Sequence, residues 1–326
     1  MTAAATFDAL LREAALLHPK AVMAPQRIDF AALDALADHY AARLREALAR
    51  LGDGAVVVSA PTGQSLAAVV GALRAGLVLS LAPPEIPGRE LDATILSADA
   101  SIVAGPARFG SLATGDLICR VAVDQERVSL VATHGGEIQG ALALDGGREN
   151  YTVYETRHAE AQMRFVASRN GPAARFEERD LIAAGDAIVR LAGVRSGGVI
   201  LTTLSCASAA GLAAGPLAAL RAGARLIFHA PFDSRAFVAA LDAAAPAHLV
   251  LPQALAPAFK AAGMLGDGRV SSLIVSCAGD DEAPAVGDAL GGAPVVSVTA
   301  GAWGGLRVEL VPPDGSHAQD GDEHEP

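Results

Sequence analysis

Apolar residues in the first fifty positions recur at intervals of three and four. Phe30, Leu33, Ala37, Tyr40, Leu44, Leu48 and Leu51 fall on one helical face, with Asp29 placed to cap its start and Gly52 to stop it. At residue 56 the period changes. VVVSA (56–60) predicts a buried strand, Pro61-Thr62-Gly63 a turn, 65–75 a helix ended by Gly76, and LVLSLAP a second strand. A helix near 90–98 then precedes the short strand SIVAG. Strands that read almost continuously apolar, alternating with amphipathic helices, predict βαβ units with both sheet faces covered.

Between residues 117 and 160 the pattern weakens. RVSLVA and GALALD alternate, and glycines at 135, 136, 140, 146 and 147 break them, which predicts antiparallel strands with tight turns. A second βαβ series follows. Its strands are VILTTL (199–204), RLIFHA, HLVLP, SSLIVSCAG and VVSV; its helices span 209–222, 234–244, 254–262 and 282–290. LRVELVP opens a final antiparallel element. These boundaries predict a first α/β subdomain over 1–150, a second over 151–311, and a polar, acidic, disordered tail over 312–326.

The pentapeptide ALRAG occurs at 72–76 and again at 219–223, each time between a helix and an apolar strand that closes on Ala-Pro. Two related βαβ halves around a common cleft account for it.

Composition narrows the function class. The chain has 326 residues and a net charge of −11, and five of its acids (Asp314, Asp320, Asp322, Glu323, Glu325) lie in the tail. Neither a nucleic-acid surface nor an anionic membrane suits that balance, because both need a concentrated basic face. No apolar run is long enough for a membrane span, and Asp8 and Glu13 sit where a secretory signal would be uncharged. Cys119, Cys206 and Cys277 are odd in number and far apart, which fits a reducing cytoplasm better than a disulfide framework. Lysine occurs only at positions 20 and 260.

In segment order the chain resembles the large N-terminal part of the adenylate-forming superfamily, the acyl-CoA synthetases and adenylation domains. DFAALDALADHYAARL is similar to the family's first long helix. GDGAVVVSAPTGQSLAAVVGALRAGLVLSLAPP resembles its first βαβ unit, and GLAAGPLAALRAGARLIFHAPFDSRAF its central series. SSLIVSCAGDDEAP and VVSVTAGAWGG stand at the level of two later segments that line the family's cleft. The resemblance covers roughly residues 5–311. It implies an α/β fold of two related βαβ layers with mainly parallel sheets plus a small antiparallel portion.

The same resemblance locates a degenerate nucleotide cleft. The family's Ser/Thr/Gly-rich phosphate loop falls on ASRNGPAARFEERDL, where Ser168, Arg169, Asn170 and Gly171 echo the pattern and Ala173 or Ala174 stands at the lysine position. Gly279 and Gly301 complete the implied nucleotide side, and Ser208 and Trp303 the substrate side. At the aromatic–Gly–x–Thr–Glu segment this chain reads Thr299-Ala300-Gly301-Ala302-Trp303-Gly304, with no acid to hold magnesium. Neither the family's ribose-binding Asp motif nor its C-terminal lid has a counterpart in the sequence.

Adenylation needs several positive charges placed together around phosphorus. The expectation is therefore a pseudoenzyme with no catalytic residues, no metal and no required cofactor, whose cleft retains room for AMP, ATP or an acyl ligand. A pathway enzyme or an acyl carrier protein would be the partner, and a homo-oligomer is compatible. Two rivals stand beside it: a ligase with residual activity or a lid from another chain, and a purely structural subunit. Cys206 as a nucleophile would need His229 or His248 within about 3 Å; the alternative is a small buried hydrophobe.

Overall fold

The structure is a computed structural model, and it describes residues 6–47, 49–146, 162–165, 174–265, 268–278, 292–301 and 305–312. The predicted helix at 282–290, the tail from residue 313 on and residues 147–161 lie outside these.

The N-terminal helix α1 (Phe7–Leu17) leads through two short strands, β1 (Val22–Ala24) and β2 (Ile28–Asp29), into α2 (Phe30–Glu46). Asp29 caps α2 by accepting from the Ala32 amide at 2.9 Å. The helix stops at Glu46, short of the apolar spacing: Leu51 is exposed, and Gly52, with φ of 87°, turns the chain into the next strand.

The first series is β3 (Gly54–Val58), α3 (Gly63–Arg74), β4 (Val78–Ala82), α4 (Gly88–Ser97), β5 (Ala100–Pro106), α5 (Thr114–Val123), β6 (Leu130–His134) and β7 (Leu142–Ala143). A hairpin follows, β8 (Gln162–Phe165) and β9 (Ala174–Glu177), running straight into α6 (Glu178–Ala192). The second series comprises β10 (Val199–Thr202), α7 (Ala209–Leu212), a π turn (Ala213–Leu217), α8 (Ala218–Ala222), β11 (Arg225–Phe228) and α9 (Ser234–Ala244). It continues with β12 (Ala247–Pro252), a 3-10 turn (Gln253–Leu255), α10 (Ala256–Ala261), β13 (Val270–Ala278), β14 (Val295–Ala300) and β15 (Leu306–Val311).

Two sheets result. The first has seven strands in the order β7-β6-β5-β3-β4-β8-β9; the second has eight, β15-β14-β13-β12-β10-β11-β1-β2. Neighbours run parallel except at β8–β9, β1–β2 and β14–β15, so the small antiparallel portion sits at the sheet edges. Among the described residues of the stretch 117–160, namely 117–146, the expected antiparallel strands are not found. Part of that stretch is α5, and β6 and β7 join β5 in parallel. β6 is not alternately exposed: Leu130 and Val131 are half-buried and Ala132, Thr133 and His134 are all buried, with the two-residue β7 at the sheet edge beside it.

The layers run helix, sheet, helix, sheet, helix. A central core of α1, α2, α3, α6, α7 and α8 packs against the inner faces of both sheets. Phe237, Leu241 and Phe259 cover the outer face of the second sheet, and Leu91, Ile95 and Ile118 that of the first. Pro216 explains the π turn: it has no N–H to donate, and widening one turn relieves its ring's clash with the carbonyl four residues back.

Sheet membership crosses the division expected near residue 150. β1 and β2 belong to the second sheet through the pairing Met23↔Leu226, and β8 belongs to the first through Ser80↔Arg164.

The two ALRAG copies are structurally equivalent. Each closes a helix and turns on a left-handed glycine, Gly76 (φ 83°) or Gly223 (φ 66°), into a strand that pairs with the one before the helix. Their arginines both reach α1. Arg74 is buried and pairs with Asp8, Asp34 and Asp38, while Arg221 pairs with Glu13 at 3.6 Å and Asp186 at 2.7 Å.

Candidate functional site

A parallel sheet collects its strand-end loops on one edge, and that edge is where α/β folds hold ligands. In the second sheet these ends are Thr202, Phe228, Pro252, Ala278 and Ala300. The segment 203–208 leaves β10 here and is tied down by its own polar groups. The Leu204 amide donates to Thr202 Oγ1 at 3.1 Å, and the Ala207 amide to Ser205 Oγ at 3.1 Å.

Ser208 lies at this edge, as the sequence places it, but its hydroxyl serves the backbone. It accepts from the Gly211 amide at 3.1 Å and donates to the Ser205 carbonyl at 3.0 Å, which makes it the cap of α7. Position 211 admits only glycine, because a Cβ there would run into the Ser205 carbonyl oxygen. The short α7 packs against β14. Gly301 is exposed, and its amide donates to the Gly305 carbonyl at 3.1 Å, closing a hairpin between β14 and β15. Trp303 and Gly279 lie outside the described residues.

Cys206 is buried, and burial pushes its thiol up to about 12. The Nε2 of His229 engages the Asp233 carbonyl at 3.0 Å, and the Nδ1 of His248 engages Ser272 Oγ at 2.8 Å. Both imidazoles are committed elsewhere, and burial lowers the pKa of His248. The chemistry at Cys206 is that of a small core side chain. Cys277 is likewise buried, among the apolar residues of the second sheet's outer face.

Ser168, Arg169, Asn170 and Gly171 fall in 166–173, outside the described residues; their flanks are described. The register Phe165↔Ala174 sets the two flanking residues opposite each other at the strand-end edge of the first sheet. Ala174, one of the two residues at the family's lysine position, opens β9 and packs half-buried against the central core. The chain's two lysines lie elsewhere. Lys20 precedes β1, hence at the opposite edge of the second sheet, where it is 89% exposed and 3.4 Å from Asp29. Lys260 rides on the outer helix α10. Among the described residues no group of three or more His, Cys, Asp or Glu is placed to hold a metal ion.

Sequence reasoning missed a polar cluster at the corresponding edge of the first sheet. His134 ends β6 fully buried, with Nε2 3.2 Å from Ser65 Oγ and its ring stacked on Tyr40 at a centroid distance of 6.2 Å. The Tyr40 hydroxyl donates to Asp145, which also accepts from the Gly135 amide. Burial drives the His134 pKa down to about 4. Ser65 also accepts from the Ala60 amide at 3.2 Å, so the cluster pins the 60–65 turn to β6. Ser65 and His134 are 69 residues apart, and no local signal connects them.

No family model matches the chain, and no curated protein matches it. Solved structures do. MbtA of Mycobacterium smegmatis, in its apo form, superposes with a TM-score of 0.77 at 23% identity, over 94% of this chain and 59% of that one. ATP-bound MatB of Rhodopseudomonas palustris gives 0.74 at 19%, over 94% and 62%. The N-terminal domain of FACL13 from Mycobacterium tuberculosis gives 0.72 at 15%, over 91% and 75%. The chain spans about three-fifths of the length of the MbtA and MatB chains. At these identities the likeness establishes the fold: an α/β architecture matching the large N-terminal domain of adenylate-forming, acyl-CoA synthetase-type enzymes. Among the described residues, no helix is long and apolar enough to cross a membrane.

Proposed function

We propose that this chain uses the acyl-CoA synthetase-type scaffold to hold an acyl or aryl carboxylate without adenylating it, as an accessory protein to a biosynthetic enzyme or an acyl carrier protein. One observation carries the reading. The positions that handle polyphosphate in that fold are filled by groups that cannot do so. Alanine stands at 173 and 174, Ala174 packs half-buried against the core, and 299–304 contain no carboxylate. Transfer of an adenylyl group builds negative charge on phosphorus and its oxygens, and the rate depends on cations already in place. Lys20 and Lys260 supply none at the strand-end edge.

Binding of an acyl group asks less. It needs a recess of small side chains with satisfied polar groups, and the 203–211 turn, the β13 end and the β14 end supply short side chains. A carboxylate found there would be a bound guest with no activation step following.

The test pairs two measurements on the same protein. Thermal-shift titration with a panel of aliphatic and aromatic carboxylic acids should give saturable stabilisation by at least one class. ATP-dependent pyrophosphate release with the same acids should stay at the no-acid background. Saturable, acid-dependent pyrophosphate release would overturn the reading in favour of a ligase.

A further inference from the structure

The β8–β9 hairpin carries a charge arrangement that its fold does not require. In the antiparallel register Arg164 stands directly opposite Arg175. Met163, Phe165 and Phe176 point into the central core, so strand alternation puts both arginines on the other face. Cross-strand like charges destabilise a sheet. The proximity is felt by the groups themselves: burial and the neighbouring Arg175 both lower the Arg164 pKa.

Compensation is thin. Among the described residues neither guanidinium has a carboxylate within ion-pair distance. Among the described residues Arg164 reaches only the Ser97 carbonyl, at 3.4 Å, and its Nε is buried without a hydrogen-bond partner there. On the same face of β9, Glu177 is two residues from Arg175, but it is held by Arg179 at 2.6 Å. Ser80, across from Arg164 on β4, is neutral.

We infer that Arg164 and Arg175 form an anion site on the outer face of this hairpin, built to take the phosphate of a phosphomonoester. Two facing guanidinium forks present paired N–H donors to tetrahedral oxygens, and a phosphomonoester carries between one and two negative charges at neutral pH. A single carboxylate would cancel only half the pair's charge. The inference stands independently of the acyl-binding reading, since it concerns the hairpin's outer face, away from the face on which Ala174 packs against the core, and involves none of the residues 203–211 or 299–301.

The probes are inorganic phosphate and glycerol phosphate, titrated calorimetrically into the full chain against chloride at matched ionic strength. Both should bind saturably. R164Q/R175Q should lose about tenfold or more in affinity, the usual effect of removing hydrogen bonds to a charged group. R175K should lose less than R175Q, because an ammonium keeps the charge without the fork. In chloride alone the double variant should melt no lower than the parent, since a repulsion has been removed. R175Q alone, at an exposed position, repeats the test should Arg164 prove necessary for folding. Absence of saturable binding, or unchanged affinity in R175Q and the double variant, overturns the inference. Binding of inorganic phosphate with no binding of glycerol phosphate would overturn the phosphomonoester assignment.

Discussion

His134 and Glu178 are both buried, and burial moves them in opposite directions. Desolvation lowers the His134 pKa to about 4, with Asp145 opposing it. Desolvation raises Glu178 to about 7, with the Phe7 amide opposing it and Asp8 adding to it. Below about pH 6.5 the unfolded chain takes up a proton that folded His134 refuses, so stability falls as pH drops from there toward 4. Above about pH 4.5 the unfolded chain releases a proton that folded Glu178 keeps, so stability falls as pH rises from there toward 7. Over the shared window the slopes oppose. In urea titrations, the stability of H134N minus that of the parent should grow as pH falls through this window, by up to about 3 kcal/mol. For E178Q the same difference should grow as pH rises. A flat difference for either variant would show that its group is not held in the stated form. Gly211 is a third sensitive residue: G211A should lose about 2–4 kcal/mol, seen as a fall in the urea midpoint, because the new Cβ meets backbone that cannot move aside. Single-residue roles with a local cause were legible in advance, such as the Asp29 cap and the Gly76 turn. Ser208 was legible in place and not in role, because what its hydroxyl does depends on a backbone turn that the sequence leaves open.

α1 is the element that joins the two βαβ series. It lies in the central layer and receives one arginine from each ALRAG copy, and the two contacts are unequal. Arg74 is buried among Asp8, Asp34 and Asp38, and its Nη1 also donates to the Asp34 carbonyl at 2.7 Å. Removing it takes an ion-pair partner from the buried Asp8 and from the partly buried Asp34 and Asp38, so R74A should cost about 3–5 kcal/mol in chemical denaturation. Arg221 is a quarter exposed, and R221A should cost no more than about 1 kcal/mol. Equal losses would mean that Arg74 is not isolated from solvent as its burial indicates. Most elements were visible from periodicity because buried parallel strands and their covering helices carry strong patterns; 234–244 matches the helix residue for residue. The stretch 117–146 misled because its glycines and short apolar pieces read as tight turns, whereas β6 and β7 join β5 in parallel. The helix α6 was obscured for a different reason: it follows the candidate phosphate loop so closely that ARFEERDL reads as part of it.

On the scale of the whole molecule, the sheets bind the halves together more tightly than the linear order suggests. β1 and β2 complete the second sheet, β8 and β9 complete the first, and one core spans both. Fragments 1–150 and 151–326 should therefore each fail to give a cooperative thermal transition when expressed alone. A fragment that melts cooperatively by circular dichroism would show that one sheet is self-sufficient. The overall α/β class was readable because it follows from alternation of element types; the strand exchange was not, because β1 and β2 are too short to declare a partner. That exchange also sets a timetable for synthesis. Met23 leaves the ribosome about 200 residues ahead of Leu226, its partner, which at ordinary elongation rates is a wait of about 10–40 s. During that interval the amino end of the nascent protein has a strand with nowhere to dock, so holding it apart from other emerging chains becomes work for the cell.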